Sequence, residues 1–166
     1  MAQNQSVQIL QERLAYEQKL VQLVDRIHSA KSIDSIFIEL QGEILELLDA
    51  ERMTIYAVDQ GKRELYSRFL ALDTIKEIRL PVSEKSIAGY VAASARIVNI
   101  ADAYDKAELA RISPTLSFDG SWDKKTGFKT QQILGMPILH EGKAIGVIQL
   151  LNKKRGARFT DRKSTR

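Results

Sequence analysis

Near residue 50 the hydrophobic pattern of this chain changes its period, and no other feature limits the possible folds as much. Before that point apolar residues recur every three or four positions, and after it they alternate or run in short blocks. The first period puts apolar side chains on one face of a helix and the second on one face of a strand. The chain is therefore helices first and sheet second.

Residues 7 to 28 read as one long helix with two overlapping stripes. Val7, Leu10, Leu14, Val21 and Val24 fall at heptad spacing, and Tyr16, Leu20, Leu23 and Ile27 form the other. This is more apolar face than one neighbour covers. Glu17 and His28 interrupt the heptad, so the helix is not an autonomous coiled coil. Packing against its own domain and pairing with a second copy both fit. A second helix, with Ser32 as its N-cap, carries Ile33, Ile36, Phe37, Leu40, Ile44, Leu47 and Leu48 on one face.

Beyond residue 50, Met53 to Val58 and Leu65 to Leu70 read as the strands of a hairpin around Asp59-Gln60-Gly61-Lys62. Glu77 to Pro81 alternates, and Pro81 marks a strand end or a sheet edge. A small-residue helix over Ser86 to Ala95 and a short strand over Arg96 to Ile100 follow. Residues 101 to 130 show no sustained period, and a connection this long is more often a lid or binding segment than inert loop. Gln131 to Leu139 and Ala144 to Asn152 close the chain as a second hairpin. The expected fold is α+β, with an antiparallel sheet, the opening helices on one face, and the short helix and long segment on the other.

At 166 residues with 44% hydrophobic composition, the chain is about one domain, large enough to bury a core without staples. It contains no Cys, which excludes disulfides, thiolate metal sites and a cysteine nucleophile. No apolar run reaches the ~18 residues needed to span a bilayer, and the first residues lack a signal-peptide pattern, so a cytoplasmic protein away from membranes is expected. The net charge of +4 comes from the tail. Eight bases and one acid lie between Lys143 and Arg166, leaving the body slightly acidic. Without interleaved aromatics, a basic tail is a solvated terminus, and no nucleic-acid partner is expected.

Catalytic groups are scarce. His28 and His140 are the only imidazoles, and no nucleophile elbow, zinc motif or phosphate-binding loop is present. An enzyme is not expected, and no cofactor is required. Binding groups are better supplied. The start of the short helix, Ser86-Ile87-Ala88-Gly89, offers free backbone N–H groups and a positive dipole end that suit an anion, while Ser86 equally serves as a simple cap. Asp123, Thr126 and Thr130 bring an acceptor and two hydroxyls to the long segment. These suit the polar edge of a ligand ring, and also the local turns that such residues make with their own backbone. Trp122 fits either a stacking platform or an anchor for the segment.

The element order, with Ser86-Ile87-Ala88-Gly89-Tyr90-Val91, Val98-Asn99-Ile100-Ala101-Asp102-Ala103-Tyr104, Thr126-Gly127-Phe128-Lys129-Thr130-Gln131-Gln132-Ile133-Leu134, Met136-Pro137-Ile138 and Gly146-Val147-Ile148-Gln149-Leu150-Leu151-Asn152-Lys153, resembles a GAF domain of the type found in cyclic-nucleotide phosphodiesterases and cyclases. The likeness runs from about Ser32 to Phe159. It implies a GAF/PAS-like central antiparallel sheet of about six strands. It divides the chain into a signalling or dimerisation helix (1–31), the GAF domain (32–160) and a basic tail (161–166).

The likeness further implies a regulatory sensor that binds a small molecule such as a cyclic nucleotide, cGMP or cAMP, and controls a fused output domain, while the stripes of the helix 7–28 lead to the expectation of a homodimer through it. The cyclic phosphate would face Ile87 and Ala88, lid contacts would come from Asp123, Thr126 and Thr130, and the floor from Thr54, Leu70 and Ala71. Gln149 falls where some members place an acidic residue near the ligand. Three departures stand out. Leu70 and Ala71 replace the aromatic and Asp of nucleotide-binding members, and Lys163-Ser164 stand where Asp-Glu follows Asn152-Lys153 and Phe159, with Asp161 as the remaining candidate partner for Lys153. The chain also ends before the usual closing helix, so it is expected to be part of a longer protein or a short version. The alternative is a ligand-free interaction and dimerisation module whose pocket its own side chains fill.

Overall fold

A computed structural model of the chain describes residues 2–29, 40–71, 74–156 and 159. They form two compact units, Met1–Asp49 and Ala50–Arg166. The first holds α1 (Ala2–Ser29) and α2 (Gln41–Leu48). Helix α1 begins several residues before the expected start at 7. Ion pairs link the two helices from Lys19 to Glu46, at 3.2 Å, and from Arg26 to Glu43. Both are exposed, so together they orient the helices more than they stabilise them. Of the two apolar stripes on α1, the second contributes Leu23, which is buried, whereas Val7, Leu10, Leu14, Val21 and Val24 of the first are 40–64% exposed. Ser32 and the apolar residues 33–37 lie outside the described residues.

The second unit is built on six antiparallel strands: β1 (Ala50–Asp59), β2 (Glu64–Ala71), β3 (Thr74–Pro81), β4 (Val98–Ile100), β5 (Ile133–His140) and β6 (Lys143–Lys153). Their order is β3-β2-β1-β6-β5-β4, which agrees with the expected sheet and with Pro81 at a strand end on its edge. The β5–β6 turn is the two-residue type that strand twist favours. Glu141 and Gly142 both have positive φ, 49° and 77°, and His140 pairs with Lys143 across it.

Two strands start later than the apolar pattern implies, and local hydrogen bonds explain both. The N–H groups of Gln131 and Gln132 donate to the Asn152 side chain instead of to a strand, so β5 begins at Ile133. Ala95 closes the preceding helix in a left-handed conformation and Arg96 N–H donates to Ser94 Oγ at 3.3 Å, so β4 begins at Val98.

Cross-strand register puts Tyr56, Val58, Leu65, Ile133, Val147 and Leu151 on one face of the sheet. Helix α3 (Ile87–Ser94) lies across β5 and β6 on that face. The approach is close: a Cβ on Gly135 would stand 2.9 Å from Val91 Cγ2. Ile87, Ala88, Tyr90 and Val91 of α3 join Leu109 and Leu116 of the long segment in the buried cluster over this face, as expected for a helix and lid that share one side.

The long segment is more regular than its sequence implies. It contains α4 (Lys106–Ile112) and α5 (Ser121–Thr126). Asp105 caps α4 by accepting from Ala107 N–H at 2.8 Å and Glu108 N–H at 3.2 Å. Gly127, at φ 68°, ends α5. Helices of seven and six residues are too short for a 3.6-residue period to register.

Candidate functional site

Helix α3 presents its N-terminus at the edge of the buried face. Ser86 is extended (ψ 153°) and its Oγ accepts from Gly89 N–H at 3.1 Å, the capping role. Ile87 and Ala88 are 4% and 2% exposed and their side chains belong to the apolar cluster. What these two can offer an anion is therefore backbone N–H, which has no intrahelical acceptor in a first turn. A Cβ on Gly89 would stand 2.4 Å from Ser83 O and 2.9 Å from Pro81 O. Only glycine lets the chain leaving β3 fold this tightly over the first turn.

The polar residues of the lid hold one another. Asp123 Oδ2 accepts from Thr130 N–H at 2.7 Å and from the Tyr104 hydroxyl at 2.8 Å, and Asp123 Oδ1 accepts from Thr130 Oγ1 at 2.8 Å. Thr130 is 2% exposed. The hydrogen bond to Asp123 raises the Tyr104 pKa, because a proton shared with a carboxylate is harder to remove. Gly120 permits the arrangement, since a Cβ there would stand 2.8 Å from the Tyr104 hydroxyl oxygen. Thr126 is occupied locally: its hydroxyl donates to Trp122 O at 2.9 Å and accepts from Phe128 N–H at 3.4 Å. Trp122 is 44% exposed, with Lys125 Nζ 5.4 Å from its ring centroid, so it is not a buried anchor.

The sheet floor differs. Thr54 on β1 stands opposite Gln149 on β6, which stands opposite Gly135 on β5, all on the face that α3 covers. Gln149 is 9% exposed. Among the described residues, neither the Gln149 amide nor the Thr54 hydroxyl has a side-chain hydrogen-bond partner, and no fully enclosed side-chain polar atom lacks one. Next to them, burial pushes the Tyr56 phenol up to about 12. Leu70 and Ala71 end β2, in register with Ile75 and Thr74.

Two groups that hold the lid were not singled out as site residues. Asn152, at φ 51°, accepts from Gln131 and Gln132 N–H on Oδ1, at 2.7 and 3.1 Å. Its Nδ2 donates to the Glu51 carboxylate at 3.0 Å and to Lys129 O at 2.9 Å. One side chain thus ties the end of the lid to β1 and β6. Glu108 accepts from Ala101 and Asp102 N–H, both at 3.0 Å, and fixes the lid's beginning. The spacing Asp105-Lys106-Ala107-Glu108 has the form of a capping box, but Glu108 reaches Ala101 and Asp102 while the Asp105 N–H donates to Asp102 O. Lys163, Ser164 and Asp161, the positions bearing on a Lys153 ion pair, lie outside the described residues. His140 is exposed, and among the described residues no His, Asp and Glu cluster could hold a metal ion.

The family model for the GAF domain matches residues 32–163. The chain belongs to the GAF domain family.

Among curated relatives, a probable 3',5'-cyclic phosphodiesterase, pde-5, from Caenorhabditis elegans is 35% identical over 141 residues, 78% of this chain and 18% of that protein. This GAF domain thus spans less than a fifth of that relative. Among solved structures, the GAF domain of a phosphoenolpyruvate-protein phosphotransferase from Coxiella burnetii shares the fold with a TM-score of 0.63 at 18% identity, covering 83% of this chain and 77% of that one. A free methionine-R-sulfoxide reductase from Neisseria meningitidis, in complex with its substrate, gives 0.56 at 17% identity, covering 83% and 73%. At these identities the structures speak to fold alone. No helix among the described residues is long and apolar enough to cross a membrane.

Proposed function

We propose that this GAF domain is a sensor that binds a cyclic nucleotide, cGMP or cAMP, beneath its lid and reports occupancy to an output domain in a longer cytoplasmic protein. The observation that carries the reading is the similarity to the phosphodiesterase relative over 78% of the chain. The open hydrogen-bond capacity of Thr54 and Gln149 on the covered sheet face supports it. In this reading the backbone N–H groups of Ile87 and Ala88 meet the cyclic phosphate through the helix dipole. Thr54 forms the floor with Ala71, which shares the face of Leu65 in the strand register while Leu70 falls on the opposite face, and Gln149 bonds the base or sugar. Asp123, Thr126 and Thr130 close over the ligand after exchanging part of their internal bonding for ligand contacts.

A thermal-shift screen of the 166-residue chain against cyclic and linear nucleotides tests this. At 100 times Kd a ligand adds about 2.7 kcal/mol, worth several degrees for a domain of this size. A shift with one cyclic nucleotide supports the sensor, and no shift with any of them refutes it.

A second reading, a ligand-free dimerisation module, is favoured by the exposed stripe Val7, Leu10, Leu14, Val21 and Val24 on α1. In both readings two copies pair through that stripe. Sedimentation would then show a dimer that Leu14→Glu dissociates, and a variant that stays dimeric would remove α1 from the interface.

A further inference from the structure

The outer edge of β4 runs beside α4, on the outside of the long segment. The sheet order ends at β4, so its far side meets no other strand among the described residues. Beside it lies a groove of about 320 Å³, lined by Arg96, Ile97, Val98 and Asn99 of the β4 stretch and by Arg111 and Ile112 of α4. Ile97 is 67% exposed. No acidic side chain lines the groove. Arg111 Nε donates to Ala107 O at 3.1 Å, and among the described residues neither arginine is ion-paired. Asn99 Nδ2 donates to Phe159 O.

An exposed strand edge supplies backbone N–H and C=O groups to any extended segment laid along it. An exposed β-branched side chain and two guanidiniums without an ion-pair partner among the described residues then select which segment fits. We propose that the β4 edge binds an extended acidic peptide that adds to the sheet as a strand, with apolar side chains against Ile97 and Ile112 and carboxylates against Arg96 and Arg111. Guanidiniums suit this partner because they pair carboxylates in a planar fork. A single-stranded nucleic acid would need exposed rings for its bases. The one aromatic in the groove, Tyr90, is 8% exposed and belongs to the core cluster.

The test is an NMR titration of the full 166-residue chain with an acetylated peptide alternating Glu and Val. A Lys-Val peptide and a short oligothymidylate serve as comparison ligands. The Glu-Val peptide is expected to shift the amides of Ile97 to Ile100 and of Arg111, with affinity that falls as salt rises. In the double variant Arg96→Glu, Arg111→Glu, both positions being exposed, it should bind about tenfold more weakly or worse with the amide spectrum of the core unchanged. No shift at millimolar peptide, equal binding of the Lys-Val peptide, or tighter binding of the oligothymidylate would overturn the proposal.

Discussion

The lid and the floor beneath α3 carry similar polar side chains in opposite conditions. On the lid, Asp123 accepts three hydrogen bonds from Thr130 and Tyr104, and Thr126 is engaged with its own turn. On the floor, Thr54 and Gln149 face each other across β1 and β6 without side-chain partners among the described residues. The contrast separates two jobs that sequence alone merges. Polar groups that satisfy one another hold a segment in place, and a ligand reaches them only by displacing an internal bond. Polar groups left open on a covered surface are available at once, and leaving them open costs stability that a buried ligand can restore.

The largest effect is expected at the latch. Asp123→Ala removes all three acceptor interactions and leaves the buried Thr130 N–H and hydroxyl without partners, which should cost about 3 kcal/mol in urea unfolding. Hydrogen exchange at the Thr130 amide should accelerate with it. An unchanged midpoint and unchanged exchange would mean that the lid is held by its apolar contacts instead.

Next in size is an alkaline transition on the floor. The folded Tyr56 pKa of about 12 lies above its ordinary value of 10.0. Its contribution is therefore complete below about pH 10 and is lost as pH rises from there through 12. Two pKa units correspond to on the order of 2–3 kcal/mol. Tyr56→Phe should flatten the fall in stability over that window, and an unaltered slope would show that Tyr56 ionises as freely in the fold as outside it.

Thr130→Ala loses one hydroxyl bond and should cost about 1 kcal/mol, so any effect on nucleotide binding must be read against that loss. Gln149→Leu sharpens the comparison most, because its stability effect should be the smallest, within about 1 kcal/mol of zero, even though the residue is as buried as the core. A loss of several kcal/mol would show that Gln149 has a structural partner after all.

Much of this architecture is visible in the residue order. The change of period at residue 50, Pro81 at a strand end and the hairpin about Glu141-Gly142 all report backbone preferences, which act over a few residues and leave a pattern. The lid is less visible for the same reason. Its helices are only seven and six residues long, and their signals are single caps at Asp105 and Gly127. The partners that matter are remote: Tyr104 reaches Asp123 across 19 positions and Asn152 reaches Glu51 across 101. No periodicity records such contacts. Asp123 and Thr130 could be chosen as lid residues from their chemistry, but that they bond each other is a tertiary fact.

The most direct test is calorimetric titration of the wild-type chain and of Gln149→Leu with cGMP and with cAMP. The account predicts that the wild type binds one of the two and that the variant, with the same melting behaviour, loses at least about tenfold in affinity, the effect of one lost polar contact. Equal affinity in both proteins, or no heat with either nucleotide, would contradict the assignment of the open floor to a ligand.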